Sequence, residues 1–201
     1  MKLNDTTAGE PLSTTSDIAQ SPAWMDAHWM AYTGNRNFKA NPRMMVSAEG
    51  MYYTDVDGGQ VLDGTAGLWC VNLGYGNHEL ADAISDQVKQ LSYYHSFSGM
   101  STDLAPVLSE KIIGMFPKSM SKVFYGGSGS DANDTNAKIV WFYNNALGRP
   151  RKKKIISRFR GYHGVTVLSA GLTGLKNLHE GFDLPLEIIR HTKAPHRLWE
   201  K

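Results

Sequence analysis

What the sequence has little of sets its first limits. It has one cysteine, Cys70, in 201 residues. That excludes an internal disulfide framework and suits a reducing cytosol, so a cytoplasmic protein is expected. The net charge is only +2 at pH 7, from 21 Lys and Arg against 19 Asp and Glu. Such a balance gives no electrostatic case for a nucleic-acid partner or a membrane surface. No stretch approaches the roughly eighteen consecutive apolar residues of a membrane span. The N-terminus shows no charged-then-apolar leader. There is no internal repeat, no low-complexity segment and no set of metal ligands that stands out. The composition is otherwise ordinary, 41% hydrophobic and 20% charged, and the length suits one or two domains with a sizeable core.

Residues 1–20 are polar with few apolar anchors and read as a mobile tail. Ser21 and Pro22 open a short helix that carries Trp24, Met25, Trp29 and Met30 as packing residues and stops at Gly34. Residues 43–76 read as β, with a hairpin turn at Asp57-Gly58-Gly59. Glycines 64, 67, 74 and 76 surround an apolar centre with Trp69. Such a loop costs backbone entropy, and either a ligand pocket or a close-packed turn would account for it. Asn77 caps a helix whose face is Leu80, Ile84, Val88 and Leu91. Residues 93–97 form an aromatic loop. A second helix begins near Asp103, buries Leu104, Val107, Leu108, Ile112 and Met115, and ends at Phe116-Pro117. Residues 154–159 and 187–190 read as strands, and the basic run 151–154 as a solvated approach to the first of them.

The organising stretch is residues 123–134, Val-Phe-Tyr-Gly-Gly-Ser-Gly-Ser-Asp-Ala-Asn-Asp. A strand over 122–125 runs into a Gly/Ser turn and then a helix over 131–147, whose second half, Ile139 to Tyr143, is expected to be heavily buried. Glycines 126, 127 and 129 permit φ > 0 and close approach to a ligand. Unpaired N–H groups and the helix dipole favour an anion at such a turn, with the hydroxyls of Ser128 and Ser130 as further donors. A phosphate cradle fits these residues. A tight βα turn with a capping serine fits them as well. No Lys follows the glycines, so the turn is not a nucleotide P-loop, and their spacing is not G-x-G-x-x-G.

Strand 122–125, helix 131–147 and strand 154–159 read as one β-α-β unit with parallel strands. The turn 126–130 and the loop 161–164, Gly-Tyr-His-Gly, would then leave the carboxyl ends of parallel strands on one rim, where open α/β sheets bind ligands. One loop offers phosphate donors and the other an aromatic face. A flat aromatic ligand with a phosphate arm satisfies both, which favours pyridoxal phosphate over a nucleotide.

Residues 68–76 (Leu-Trp-Cys-Val-Asn-Leu-Gly-Tyr-Gly), 127–134 and 161–164 together resemble the class III, ω-amino acid:pyruvate aminotransferases. These are pyridoxal 5'-phosphate enzymes of fold type I, and the resemblance runs from about residue 22 to the C-terminus. It implies an incomplete α/β architecture: the tail, an N-terminal helix and β-meander of the small domain over 21–76, and the first part of the large cofactor domain over 77–201. It implies that Gly129 and Ser130 hold the cofactor phosphate, that Ser128 and Asn133 shape that turn, and that Tyr162 stacks on the ring with His163 beside it. It implies Trp69 as a wall of the substrate pocket, and a homodimer in which the loop 94–97 reaches the partner site. It implies transamination, with an amine donor and a keto acid acceptor such as pyruvate. Family members are more than twice this length. The Schiff-base lysine, the aspartate at the pyridine nitrogen and the substrate arginine are therefore expected outside this chain, and no catalytic residue is assigned within it. Lys176 and Lys193 do not sit in the family's lysine motif. The competing function is a non-catalytic phosphate- or nucleotide-binding module.

Overall fold

The computed structural model describes residues 25–185 and 187–196. They fall into two compact units, one ending at Ser98 and the other beginning at Gly99.

In the first unit the regular helix α1 (Asn35–Ala40) begins after Gly34, where the sequence reading placed a stop. Of the helix expected before it, residues 21–24 lie outside the described residues; Met25 and Asp26 are helical, and the chain leaves the helix through a turn in which His28 N–H donates to Met25 O, ahead of the expected stop at Gly34. The Asn35 side chain shapes the segment between that end and α1. It accepts from Met30 N–H at 2.9 Å and donates to Met30 O and Thr33 O, which closes a loop in front of α1. Strands β1 (Met45–Glu49), β2 (Tyr52–Asp55) and β3 (Gln60–Leu62) form an antiparallel meander in that order. The β2–β3 turn is the expected hairpin. The Asp55 carboxylate accepts from Asp57 and Gly59 N–H, at 3.0 and 2.7 Å, and Gly58 takes φ +83°. Helix α2 (His78–Leu91) starts at its expected cap, with Asn77 Oδ1 accepting from Leu80 N–H at 2.9 Å. Its apolar stripe is regular, yet Leu80, Ile84, Val88 and Leu91 remain 41–56% exposed.

In the second unit α3 (Leu104–Gly114) ends as expected, but its stripe is not buried. Leu104, Val107, Leu108 and Met115 are exposed and Ile112 is only half-buried. Residues 122–125 form no strand. They have no ladder partner among the described residues, and the Tyr125 phenol binds α3 instead, through Ser109 Oγ at 2.8 Å and Ala105 O at 3.2 Å. The parallel β-α-β unit of this chain is the next one along. Strand β4 (Ile155–Arg158), helix α5 (Val167–Leu172) and strand β5 (Ile189–Thr192) make it, with Ile155 opposite Ile189 and Arg158 opposite Thr192. The second strand lies two residues beyond its expected place.

Helix α4 (Gly129–Ala146) opens two residues earlier than expected, because Ser128 is its cap. Its large residues Ile139, Val140, Phe142 and Tyr143 are exposed, against the expectation of heavy burial. The buried positions are Ala137 and Asn144, one face two turns apart. The helix turns its small and polar side inward and its bulky side out. Lys153 from the basic run folds back onto this helix, donating to Trp141 O at 3.3 Å and Asn145 Oδ1 at 2.7 Å. The core of the unit joins α4, α5, β4 and β5. It is small, with Ala137, Ala170, Leu172 and Ile189 as its buried apolar residues, and it includes Ser157, Ser169 and Thr173.

Candidate cofactor site

The turn before α4 and the loop after β4 meet. Ser130 Oγ accepts the N–H of Val165 at 3.0 Å. Asn133 Nδ2, one turn further on, donates to His163 O at 2.7 Å. Gly164 lies buried between them at φ +125°, a conformation that favours glycine. A Cβ there would overlap Ser130 Oγ and come within 2.6 Å of Ser169 Oγ. From the other side, Thr173 Oγ1 accepts the N–H of His163 at 2.8 Å and donates toward Gly164 O and Ser169 O. Asp134 accepts the N–H of Ser169 at 3.1 Å, which fixes α5 to α4. Tyr162 therefore stands exposed on a loop whose backbone is held on both flanks.

The turn fits a phosphate group. Ser128 Oγ accepts from Asp131 N–H at 3.1 Å, as a cap does. Gly129 and Ser130 are the first two residues of an eighteen-residue helix, so their N–H groups have no partner inside it. A Cβ at Gly127 or Gly129 would meet no atom within 4 Å, so neither glycine is there for lack of side-chain room. Ser130 Oγ accepts from Val165 and keeps its own proton to donate. Glycines 126, 127 and 129 do not take φ > 0, contrary to the sequence reading. A Cβ at Gly126 would lie 2.8 Å from the Asp131 carboxylate, so a side chain there would displace that carboxylate. That carboxylate accepts the N–H of Gly127 at 3.0 Å, which leaves Gly129, Ser130 and the serine hydroxyls as the donors for a ligand.

Trp69 lies in the first unit, in a loop with its own architecture. Ala66, Gly67, Leu68 and Trp69 all have positive φ, from 48° to 72°, and form one left-handed turn. Trp69 N–H donates to Thr65 O and Cys70 N–H to Ala66 O. Its indole is 85% exposed. Beneath the turn, the Asp63 carboxylate accepts from Thr65 N–H (2.9 Å), Thr65 Oγ1 (3.0 Å), Gly67 N–H (2.7 Å) and Tyr75 OH (2.7 Å). The Tyr75 phenol above all, then the Thr65 and Gly67 donors, holds Asp63 well below the ordinary carboxylate range against a smaller opposing effect of burial. Partial burial, reinforced by Tyr53 and Asp63, pushes Tyr75 above the ordinary phenol range.

Sequence reasoning missed Thr173, Ser169, Asp134, Asp63 and Tyr75. Asp63 four residues before the Gly67 N–H is an Asx-type signal that was open to reading. The others depend on chain segments brought together by folding. Lys176 is exposed and paired with Glu180 at 3.4 Å. Among the described residues no group of His, Cys, Asp or Glu is arranged to hold a metal ion, and no helix is long and apolar enough to cross a membrane.

Comparison with known proteins shows the family of the chain. The profile of the Aminotransferase class-III family matches residues 33–200. The diaminobutyrate–2-oxoglutarate transaminase of Halomonas elongata is 54% identical over 154 residues, covering 77% of this chain and 33% of that protein. The vanillin aminotransferase of Capsicum annuum is 45% identical over 166 residues, covering 82% and 36%. The crystal structure of the omega transaminase from Pseudomonas jessenii in complex with PMP superposes with a TM-score of 0.84 at 43% identity, covering 92% of this chain and 40% of that one. The chain belongs to the class-III aminotransferase family and carries part of the fold-type-I, α/β architecture of pyridoxal-phosphate enzymes. Class-III aminotransferases use pyridoxal 5'-phosphate. The chain spans about a third of the length of the curated relatives it matches.

Proposed function

We propose that the whole protein is a transaminase that moves an amino group from an amine or ω-amino acid to a keto acid such as pyruvate, and that this chain supplies its phosphate grip and ring bracket. The observation that carries the reading is the contact of Ser130 with Val165, which brings the phosphate donors and the Tyr-His loop to one place.

The residues divide the work. Gly129 and Ser130 hold the phosphate through N–H groups and a hydroxyl at the positive end of α4. Ser128 keeps that end in shape as the cap. Tyr162 covers one face of the pyridine ring, worth about 0.5–1.5 kcal/mol for an offset aromatic contact, and His163 stands beside it. Asn133 orients the loop through His163 O. Trp69 forms a wall of the substrate pocket. The cofactor, when bound, supplies an electron sink for loss of the donor's α-proton.

The full-length protein is read as a homodimer, with the loop 94–97 reaching toward the partner's site. The exposure of Tyr94 and Phe97 supports this. Cys70 is an exposed free thiol, which suits a cytoplasmic location.

The test uses the full-length protein. The cofactor absorption band should appear on adding pyridoxal phosphate and shift on adding an amine donor. Borohydride should then fix the cofactor permanently, on a lysine outside residues 1–201. A full-length protein that binds the cofactor but yields no adduct is a phosphate-binding module rather than a transaminase. Ser130→Ala should weaken cofactor binding roughly tenfold, the effect of about 1.4 kcal/mol. Ser128→Ala should act mainly on stability.

A further inference from the structure

We infer that Asp63 and Tyr75 are positioning residues that set selectivity for the bulk of the amine donor, by holding the left-handed turn that carries Trp69. The inference rests on the reading of Trp69 as a wall of the substrate pocket.

Three of the four residues in the turn carry side chains, for which the left-handed region is unfavourable. Such a conformation persists only where the surroundings over-determine it. The hold does not come from the indole, which is almost fully exposed. It comes from below. One Asp63 oxygen takes both donors of Thr65, and the other takes Gly67 N–H and the Tyr75 hydroxyl. Tyr75 is itself fixed at both ends. Its backbone exchanges two hydrogen bonds with Gly50, at 3.1 and 2.9 Å, and its hydroxyl meets that of Tyr53 on β2. The turn rests directly on this phenol, since a Cβ at Gly67 would lie 2.9 Å from the Tyr75 oxygen. The meander thus determines where the indole stands, through one carboxylate and one hydroxyl that need touch no substrate. Loosening either moves the wall without altering it.

The full-length enzyme loaded with cofactor provides the test. The ratio of kcat/KM for a bulky arylalkyl amine to that for a small alkyl amine is compared in the wild type, Asp63→Asn, Tyr75→Phe, Trp69→Gly and the Asp63→Asn/Trp69→Gly double variant. Trp69→Gly should raise the ratio roughly tenfold. Asp63→Asn and Tyr75→Phe should each change it at least about threefold, through KM of the bulky donor more than through kcat, with the cofactor band in place. Asp63→Asn should add little once Trp69 is gone, because the two act as one unit. The inference is overturned if the Asp63 and Tyr75 variants scale both donors equally, or if their effect persists undiminished without Trp69. Should Trp69→Gly itself leave the ratio at its wild-type value, the pocket-wall reading fails and the inference falls with it, by a separate signature. Tyr75→Phe deletes one oxygen and keeps the ring, so it decides the matter even if Asp63→Asn does not fold.

Discussion

Ser130 and Val165 lie 35 residues apart in sequence and share one hydrogen bond, the valine N–H donating to the serine hydroxyl at 3.0 Å. That bond sits where the first turn of α4 meets the loop after β4. It leaves the serine proton directed by whatever acceptor occupies the turn. A single hydroxyl thus joins the element read as a phosphate grip to the element read as a ring bracket, and the neighbourhood of this pair decides how well the two keep their spacing.

Gly164→Ala tests that spacing most directly. The added methyl would overlap Ser130 Oγ, approach Ser169 Oγ to 2.6 Å and Ser130 Cα to 2.9 Å, at a φ of +125°. The backbone of α4 cannot yield as a flexible side chain would. Strain of this kind costs about 1–3 kcal/mol. The full-length variant should melt at lower temperature and bind pyridoxal phosphate at least roughly tenfold more weakly. Thermal scanning with a cofactor titration checks both, and wild-type affinity in the variant would separate the loop from the cradle.

Thr173→Val should destabilise the second unit without changing its volume. The threonine is fully buried, and its hydroxyl is the partner of His163 N–H. Valine has nearly the same shape but no acceptor, so the part-buried amide loses its bond, at about 1 kcal/mol. Thr173→Ser keeps the acceptor and should recover most of that loss. Urea unfolding measures the stability, and hydrogen exchange at the His163 amide reports whether the loop opens locally.

Much of this architecture was legible in the sequence. Asn77 and the hairpin at Asp57-Gly58-Gly59 act through bonds spanning a few residues, so a short window contains their causes. A capping serine in the turn was legible for the same reason, although the helix was expected to begin at Asp131 and the Ser128 cap starts it two residues earlier. The strand expected at 122–125 failed because β-forming residues make a strand only beside a partner, and Tyr125 binds α3 instead. Periodicity identified the face of α2 but not whether anything covers it. Thr173 and Asp134 gave no local sign, since their partners lie 10 and 35 residues away and meet them only in the folded unit.

The Asp63–Tyr75 pair predicts a pH dependence with two limbs. Asp63 is held below its ordinary value, so its contribution is present above about pH 4, the unfolded value, and is lost as pH falls toward the folded one. Tyr75 is pushed up, so its contribution is present below about pH 10 and is lost as pH rises toward its folded value. The melting-temperature gap between wild type and Asp63→Asn should therefore be flat from about pH 5 to 9 and close on the acid side. The gap to Tyr75→Phe should close on the alkaline side. Melting curves across pH 3–11 check this, and a gap that widens in acid would reverse the assigned shift.

The 201-residue chain on its own should be prone to aggregation. On α2, Leu80, Ile84, Val88 and Leu91 are each about half exposed, and on α4 Phe142 and Tyr143 face outward. Covering such a half-exposed aliphatic side chain is worth about 1 kcal/mol, half the usual value for complete burial. Both edges of the two-stranded sheet lack a further strand among the described residues, which invites pairing with another chain. In relatives more than twice this length, further chain is available to cover such surfaces. The isolated chain should bind a hydrophobic dye, unfold over a broad temperature range and lose solubility with concentration, while the full-length protein should do none of these. One sharp transition without dye binding in the isolated chain would mean that these faces are tolerated in water, and would remove the physical reason for expecting a covering partner.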